Sequence, residues 1–125
     1  MTAWSLRLRP DGVLLSDGAS STHLEARTAA LFTYLAVEGA THRRTLAALL
    51  WPDSDPRQGR ANLRKLLSRL GSWRHALVGP DPLALSPDLN PSAWELLPER
   101  LEIGEGTPLA SWLDEARERR RRQRV

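Results

Sequence analysis

The first residues of the chain alternate between apolar and polar side chains, with Trp4, Leu6 and Leu8 on one face. A period of two is typical of a strand that is buried on one side only. Turn signals, Pro-Asp-Gly at 10–12 and Asp-Gly at 17–18, lie on either side of a second apolar run. The pattern predicts two or three short antiparallel strands, whose apolar face other elements must cover.

Beyond these strands the period changes to that of a helix. Apolar residues at helical spacing predict a first helix at about 24–38, and Gly39 stands where a helix commonly ends. A second, shorter helix is predicted at about 43–50, opened by Thr41 or His42. The proline of "LLWP" ends it, because a residue before proline is disfavoured in the helical region.

The third helix has the clearest pattern in the chain. Asp55 suits the N-cap and Pro56 the first helical position, which predicts a helix from Pro56 to about Gly71 or Arg74. At about 100° per residue, the other three leucines of this helix fall within about 60° of Leu63 around the helix axis. The four leucines are Leu63, Leu66, Leu67 and Leu70.

The chain then continues into a predicted hairpin and an acidic segment. Apolar residues at 76–78 and 83–85 flank Gly-Pro-Asp-Pro, which favours an exposed hairpin. From about residue 88 the sequence is acidic and rich in Pro and Gly, with one candidate helical turn at 92–97. A last helix is expected near the C-terminus, and the residues of its apolar face are Leu109, Trp112, Leu113 and Ala116.

These elements predict an α+β fold with two parts. Residues 1–90 hold strands, helix, short helix, tight turn, basic helix and hairpin in the order of a winged helix-turn-helix, with a small N-terminal antiparallel sheet and a C-terminal hairpin wing. Residues 91–125 form an acidic linker and a short C-terminal helical extension that is rich in Arg.

The net charge of +3 conceals a strong segregation of charge. Positions 41–75 carry eight basic residues and two acidic ones, whereas positions 76–115 carry one basic residue and eight acidic ones. Positions 116–125 carry six Arg and one Glu. Charge segregated in this way bears on binding partners, and the basic block around the third helix favours a polyanion.

The outward face of the third helix is the candidate site. It mixes long basic side chains with the small residues Ala61 and Ser68, and small residues let a helix backbone approach a groove floor. Arg can pair with guanine edges while Lys and Ser serve phosphates. The alternative interpretation is that this face of the helix is simply solvated and binds no partner. The candidate DNA-binding residues are Arg57, Arg60, Asn62, Arg64, Lys65, Ser68 and Arg69, with Arg43 and Arg44 as phosphate contacts near the second helix.

Several function classes receive no support. Without Cys there is neither a disulfide framework nor a thiolate metal site, and the three His have no ligand-like spacing. No cofactor, metal, nucleophile–base pair or phosphate-cradling loop is predicted, so we expect no enzyme. No apolar run reaches the roughly 18 residues of a membrane helix, and the N-terminus lacks a secretory signal. A cytoplasmic protein is the expectation.

The stretch "LFTYLAVEGATHRRTLAALLWPDSDPRQGRANLRKLLSRLG" resembles the N-terminal DNA-binding domain of bacterial SARP-type regulators, which are themselves similar to the OmpR/PhoB winged helices. The likeness runs from about Trp4 to Asp88. "ALLWPDSDP" and "RANLRKLLSRL" carry it most specifically. The tail "PLASWLDEARERRRR" is similar to the first helix of that family's transcriptional activation domain.

The resemblance implies a transcription regulator that binds double-stranded DNA sequence-specifically, with a recognition helix at about 56–72 in the major groove. RNA polymerase and a second copy on tandem repeats are further candidate partners. The chain departs from the family in its wing, which lacks a basic residue and carries Asp81. The alternative from another class is a winged-helix protein-interaction module that contacts a co-regulator or polymerase through the acidic surface 76–115.

Overall fold

The computed structural model describes residues 4–9, 12–89 and 107–123. It has a mixed α+β architecture with a small antiparallel sheet and several helices. The candidate helical turn at 92–97, Trp94 and the 90/91 boundary lie outside the described residues. The elements are β1 (Ser5–Arg9), β2 (Gly12–Ser16), β3 (Ser21–His23), α1 (Ala26–Glu38), α2 (Arg43–Leu50), α3 (Pro56–Arg69), a 3-10 helix (Gly71–Ala76), β4 (Leu77–Val78), β5 (Ala84–Leu85) and α4 (Pro108–Gln123).

The N-terminal strands form a three-stranded antiparallel sheet in the order β1-β2-β3, which confirms the predicted strands. Leu6 lies opposite Leu15 in the β1–β2 pair. Leu6, Val13 and Leu15 are buried, so the inward face of this sheet belongs to the common core. The side chain of Leu8 lies outside the described residues.

The first two helices lie close to their predicted positions. Helix α1 begins at Ala26, two residues later than predicted, and Gly39 follows it with a φ of 81°. Glycine is favoured there because an L side chain is strained at positive φ. Helix α2 spans Arg43–Leu50 as predicted and buries Leu46, Ala47 and Leu50 against the core.

Helix α3 is shorter than predicted. Asp55 caps it as expected, because its Oδ1 accepts a hydrogen bond from the backbone N–H of Gln58 at 2.9 Å. The α-helix ends at Arg69, however, and not at Gly71 or Arg74. Gly71 has a φ of 57°, which stops the α-helical repeat, and the chain tightens into the 3-10 helix.

Helix α4 buries its predicted apolar face and contacts α1 through the Trp112 side chain. Leu109, Trp112, Leu113 and Ala116 are at most 9% exposed. The indole Nε1 of Trp112 donates a hydrogen bond to Glu38 at 3.0 Å, and the Trp112 ring lies 4.8 Å from the Tyr34 ring. This helix therefore closes the core against the C-terminal end of α1. Among the described residues, none of the helices is both long and apolar enough to traverse a bilayer.

Candidate nucleic-acid interface

Helix α3 is fixed by its leucine stripe and by one glycine. Leu63, Leu66 and Leu67 are buried, together with Gly59. A Cβ built on Gly59 would lie 3.4 Å from the Cβ of Ala47, so α2 and α3 pack closely here and leave room for one methyl group but not for a large side chain. The sequence analysis missed Gly59, although a glycine that faces the leucine side of a helix is a recognisable sign of close packing.

The opposite face of α3 is open to solvent. Asn62 is half-buried, and the other predicted α3 residues are exposed: Arg57, Arg60, Arg64, Lys65, Ser68 and Arg69. Helix α3 contains no acidic residue, and within the described part of the chain none of its basic side chains forms an ion pair. As far as the described residues go, the five Lys and Arg side chains of α3 thus carry charges that no ion pair neutralises.

One cleft lies between α3 and the start of α1, and we call it the α1 cleft. Its volume is about 530 Å³, and Asn62, Lys65 and Arg69 of α3 line it. Arg27 of α1 and Trp51 lie across from them, and the cleft also holds Glu25, Ala26 and Leu66.

Arg27 is the residue of the α1 cleft that sequence reasoning missed. Its Nε donates a hydrogen bond to the carbonyl of Leu50 at 3.1 Å, and its guanidinium carbon lies 5.6 Å from the centre of the Trp51 ring. A cation at this point also suits the carbonyl end of α2. The only signal in the sequence was a basic residue in the first turn of α1, which by itself does not locate a neighbour more than twenty positions away.

A second cleft lies on the other side of α3, and we call it the α2 cleft. Its volume is about 340 Å³. Three arginines from three elements meet there, namely Arg43 of α2, Arg64 of α3 and Arg74 of the 3-10 helix. Its other lining residues are Leu67, Ser68 and Gly71, so none of the described acidic side chains lines it.

The two arginines predicted near α2 are separated by the fold. Arg43 lines the α2 cleft, whereas Arg44 lines a different groove together with Arg60 and Pro108. The side chain of Arg43 is also engaged, because its Nε donates to the carbonyl of Pro80 in the hairpin. The predicted pair therefore does not act on one surface.

The N-terminus of α2 is already occupied by an anion from the hairpin. Asp81 Oδ1 accepts a hydrogen bond from the backbone N–H of Arg43 at 2.9 Å and lies 3.2 Å from Nδ1 of His42. The Arg43 N–H and the His42 ring hold the pKa of Asp81 below its ordinary value. His42 is the N-cap residue but makes no side-chain cap, so the carboxylate of the hairpin takes that role.

The hairpin is fastened to α2 by its backbone as well. Thr41 and Leu83 exchange two backbone hydrogen bonds, each 2.9 Å long. The segment that carries Asp81 is therefore held against the start of α2. Asp81, which departs from the family pattern, therefore holds the hairpin against α2.

Asn62 and Trp73 each have a definite side-chain neighbour. The side-chain oxygen of Asn62 accepts a hydrogen bond from Gln58 Nε2 at 2.9 Å, so it bonds within α3. Trp73 packs against Trp4, with ring centres 5.9 Å apart and an angle of 85° between the ring planes.

Within the described ranges, no group of three or more His, Asp or Glu side chains is placed to hold a metal ion. No protein-family model, curated protein or solved structure matches the chain. The function is therefore argued from the geometry and charge of the surface around α3.

Proposed function

We propose that the chain binds double-stranded DNA sequence-specifically and regulates transcription as a winged helix-turn-helix of the SARP type. The order of elements supports this proposal: a small sheet, α1, α2, a tight turn, α3 and a two-stranded hairpin. In such a fold α2 and α3 form the helix-turn-helix, and α3 enters the major groove. The likeness of "ALLWPDSDP" and "RANLRKLLSRL" to the SARP family supports it independently.

One observation carries the proposal. The exposed surface of α3 bears five Lys or Arg side chains, no acid, and no ion pair to the rest of the described chain. Five like charges held on one rigid helix repel one another, and a polyanion relieves that repulsion. An α-helix with its side chains is narrow enough to enter the major groove, which is about 12 Å wide.

The roles of the residues follow from their positions. Arg57, Arg60 and Arg69 provide phosphate contacts, and Arg64, Lys65 and Ser68 lie where base edges are within reach. Asn62 can still donate from its amide nitrogen, since its oxygen is bonded to Gln58. RNA polymerase and a second copy on tandem repeats stay predictions.

Selection of bound duplexes from a random pool tests the proposal. We expect the pool to converge on a common sequence. The Arg64→Ala and Lys65→Ala variants should bind that sequence more weakly or with a less strict base preference. A pool that stays random after repeated rounds, with no duplex retained, would contradict sequence-specific binding.

The alternative is a protein-interaction module, whose binding to a partner would depend on salt differently from DNA binding through α3. Four of the eight acidic residues of the surface assigned to it are described, namely Asp81, Asp88, Asp114 and Glu115, and of these Asp81 is engaged at the start of α2. Contact through that surface would survive competition by heparin, whereas DNA binding through α3 would be displaced by it.

A further inference from the structure

The two clefts that flank α3 differ in sequence origin but match in chemistry. The α1 cleft holds Arg27, Lys65 and Arg69, and the α2 cleft holds Arg43, Arg64 and Arg74. Each therefore gathers three cations from at least two elements. Glu25 also lines the α1 cleft, and its carboxylate is within 3.4 Å of the Thr28 hydroxyl.

The clefts lie on opposite sides of α3. On a wheel with Leu63 at zero and about 100° per residue, Arg64 and Ser68 fall at about 100° and 140°. Asn62 and Arg69 fall at about −100° and −120° on the same wheel. A helix in the major groove has one phosphodiester strand along each side, because the groove is about as wide as the helix itself.

We propose that Arg27 and Arg69 of the α1 cleft bind the phosphodiester backbone of one DNA strand and Arg43 and Arg74 of the α2 cleft that of the other, while Arg64, Lys65 and Ser68 face the base edges between them. This inference rests on the proposed function, and it adds one residue from α1 and one from the 3-10 helix to the interface. A backbone carbonyl holds Arg27, and a weaker, longer contact to another carbonyl orients Arg74. Arg27 Nε donates to Leu50, and Arg74 Nη1 donates to Leu77 at 3.4 Å.

Their fixed positions matter for binding. A guanidinium that is already anchored loses less conformational freedom when it meets a phosphate, so more of the electrostatic gain is retained. Arg27 is further ordered by the Trp51 ring beneath it. The two residues therefore contribute affinity without base preference.

The first test is a salt titration with a short mixed-sequence duplex, because phosphate contacts do not depend on sequence. Arg27→Gln and Arg74→Gln should each lower the slope of log affinity against log salt by about one, and weaken binding roughly eightfold at about 0.1 M salt. Arg121→Gln is the matched control, because Arg121 is exposed on α4 and paired with Glu118. It should leave the slope unchanged.

A structural effect of Arg27 is separated from a charge effect by Arg27→Lys. The lysine keeps the positive charge and loses the Nε bond to Leu50, so the slope should stay close to that of the parent chain. An equal loss of slope in Arg27→Lys and Arg27→Gln, at unchanged helix content, would overturn the phosphate role of Arg27.

The assignment of opposite strands has its own test, which the absence of Cys from the chain makes simple. Ala26→Cys in the α1 cleft and Ser72→Cys, at an exposed position next to Gly71 of the α2 cleft, can each carry an iron chelate that cleaves nearby DNA. On a duplex recovered by selection, the two labelled proteins should cut opposite strands. Cleavage of the same strand by both would overturn the assignment.

The outcomes distinguish the inference from the function beneath it. A parent chain that binds no duplex would defeat the proposed function and the inference together. A parent chain that binds with a steep slope, while both Gln variants keep that slope, would defeat only the cleft assignment.

Discussion

Helices α3 and α4 are both rich in basic residues and both bury a leucine face, yet their charges are arranged differently. In α4, Arg117 pairs with Asp114, Arg121 pairs with Glu118, and Arg119 reaches Glu38 of α1. In α3 no described cation has an acidic partner. The comparison teaches that a count of Arg residues does not separate the two helices, whereas the presence or absence of acidic partners among the described residues does.

The largest expected effect concerns how α4 is held. Trp112→Ala should lower the free energy of unfolding by about 3–5 kcal/mol, because it removes a buried aromatic ring and its hydrogen bond to Glu38. Denaturant titration followed by circular dichroism measures it. A loss below about 1 kcal/mol would mean that α4 does not share the core, and the comparison of the two helices would fail.

The next effect concerns α3 itself. Arg64→Ala should cost about 1–3 kcal/mol of DNA-binding free energy without lowering stability, because the exposed side chain has no ion-pair partner in the described structure. Fluorescence anisotropy with a selected duplex and its single-base variants measures it. A loss confined to one base pair assigns Arg64 to base readout, and a uniform loss assigns it to a phosphate. Unchanged titrations would count against the interface.

Gly59 tests whether close packing of α2 and α3 supports the exposed face. Gly59→Leu should destabilise the fold by about 1–3 kcal/mol, because the larger side chain meets Ala47. Gly59→Ala is the control: its single Cβ is at ordinary contact distance, and alanine favours the helix by up to about 1 kcal/mol. Equal stability of the Leu and Ala variants would show that the two helices are not tightly packed here.

A smaller effect follows from the anchoring of α4 at Glu38. Burial disfavours ionisation of Glu38, but hydrogen bonds from Arg119 and Trp112 outweigh it and leave the pKa of Glu38 below its ordinary value. A lowered pKa means that the contribution to stability is complete above the ordinary Glu pKa of about 4.3 and is lost as the pH falls through the lower, folded value.

Glu38→Gln should therefore cost about 1 kcal/mol at pH 7 and less at pH values below the folded pKa. Unfolding curves of the parent chain and the variant across that acidic range measure the difference. A gap between the two proteins that does not change with pH would contradict the ionised contact between α1 and α4.

The smallest effect is the control for the comparison. Arg121→Gln breaks an exposed pair on α4, so it should change stability by no more than about 0.5 kcal/mol and leave duplex affinity nearly unchanged. Parallel denaturant and anisotropy titrations measure both. A loss of affinity as large as that of Arg64→Ala would show that α4 also binds DNA, and the distinction between the helices would be lost.

Local patterns predicted most of the elements. The Asp55–Pro56 start of α3, the bounds of α2 and the buried face of α4 all follow from spacing and capping chemistry, and the structure has them. The predicted C-terminal end of α3 was wrong because Gly71, which has a positive φ, was treated as a helical residue. Its local signal was present but was outweighed by the pattern around it.

The surroundings of the candidate site could not be predicted in the same way. Asp81 caps α2 from more than thirty residues away, and Arg27 reaches the carbonyl of Leu50. Such contacts depend on how elements pack, which periodicity does not encode. The basic face of α3 was visible in the sequence, while the two clefts beside it required the fold.

The most direct test of the account is the affinity of the intact chain for a mixed-sequence duplex as salt rises from about 50 to about 200 mM. If the exposed cations of α3 bind phosphates, affinity should fall by at least about a hundredfold over that range. An affinity that stays constant across it, or a chain that never binds the duplex, would contradict the claim that α3 is a DNA-binding surface.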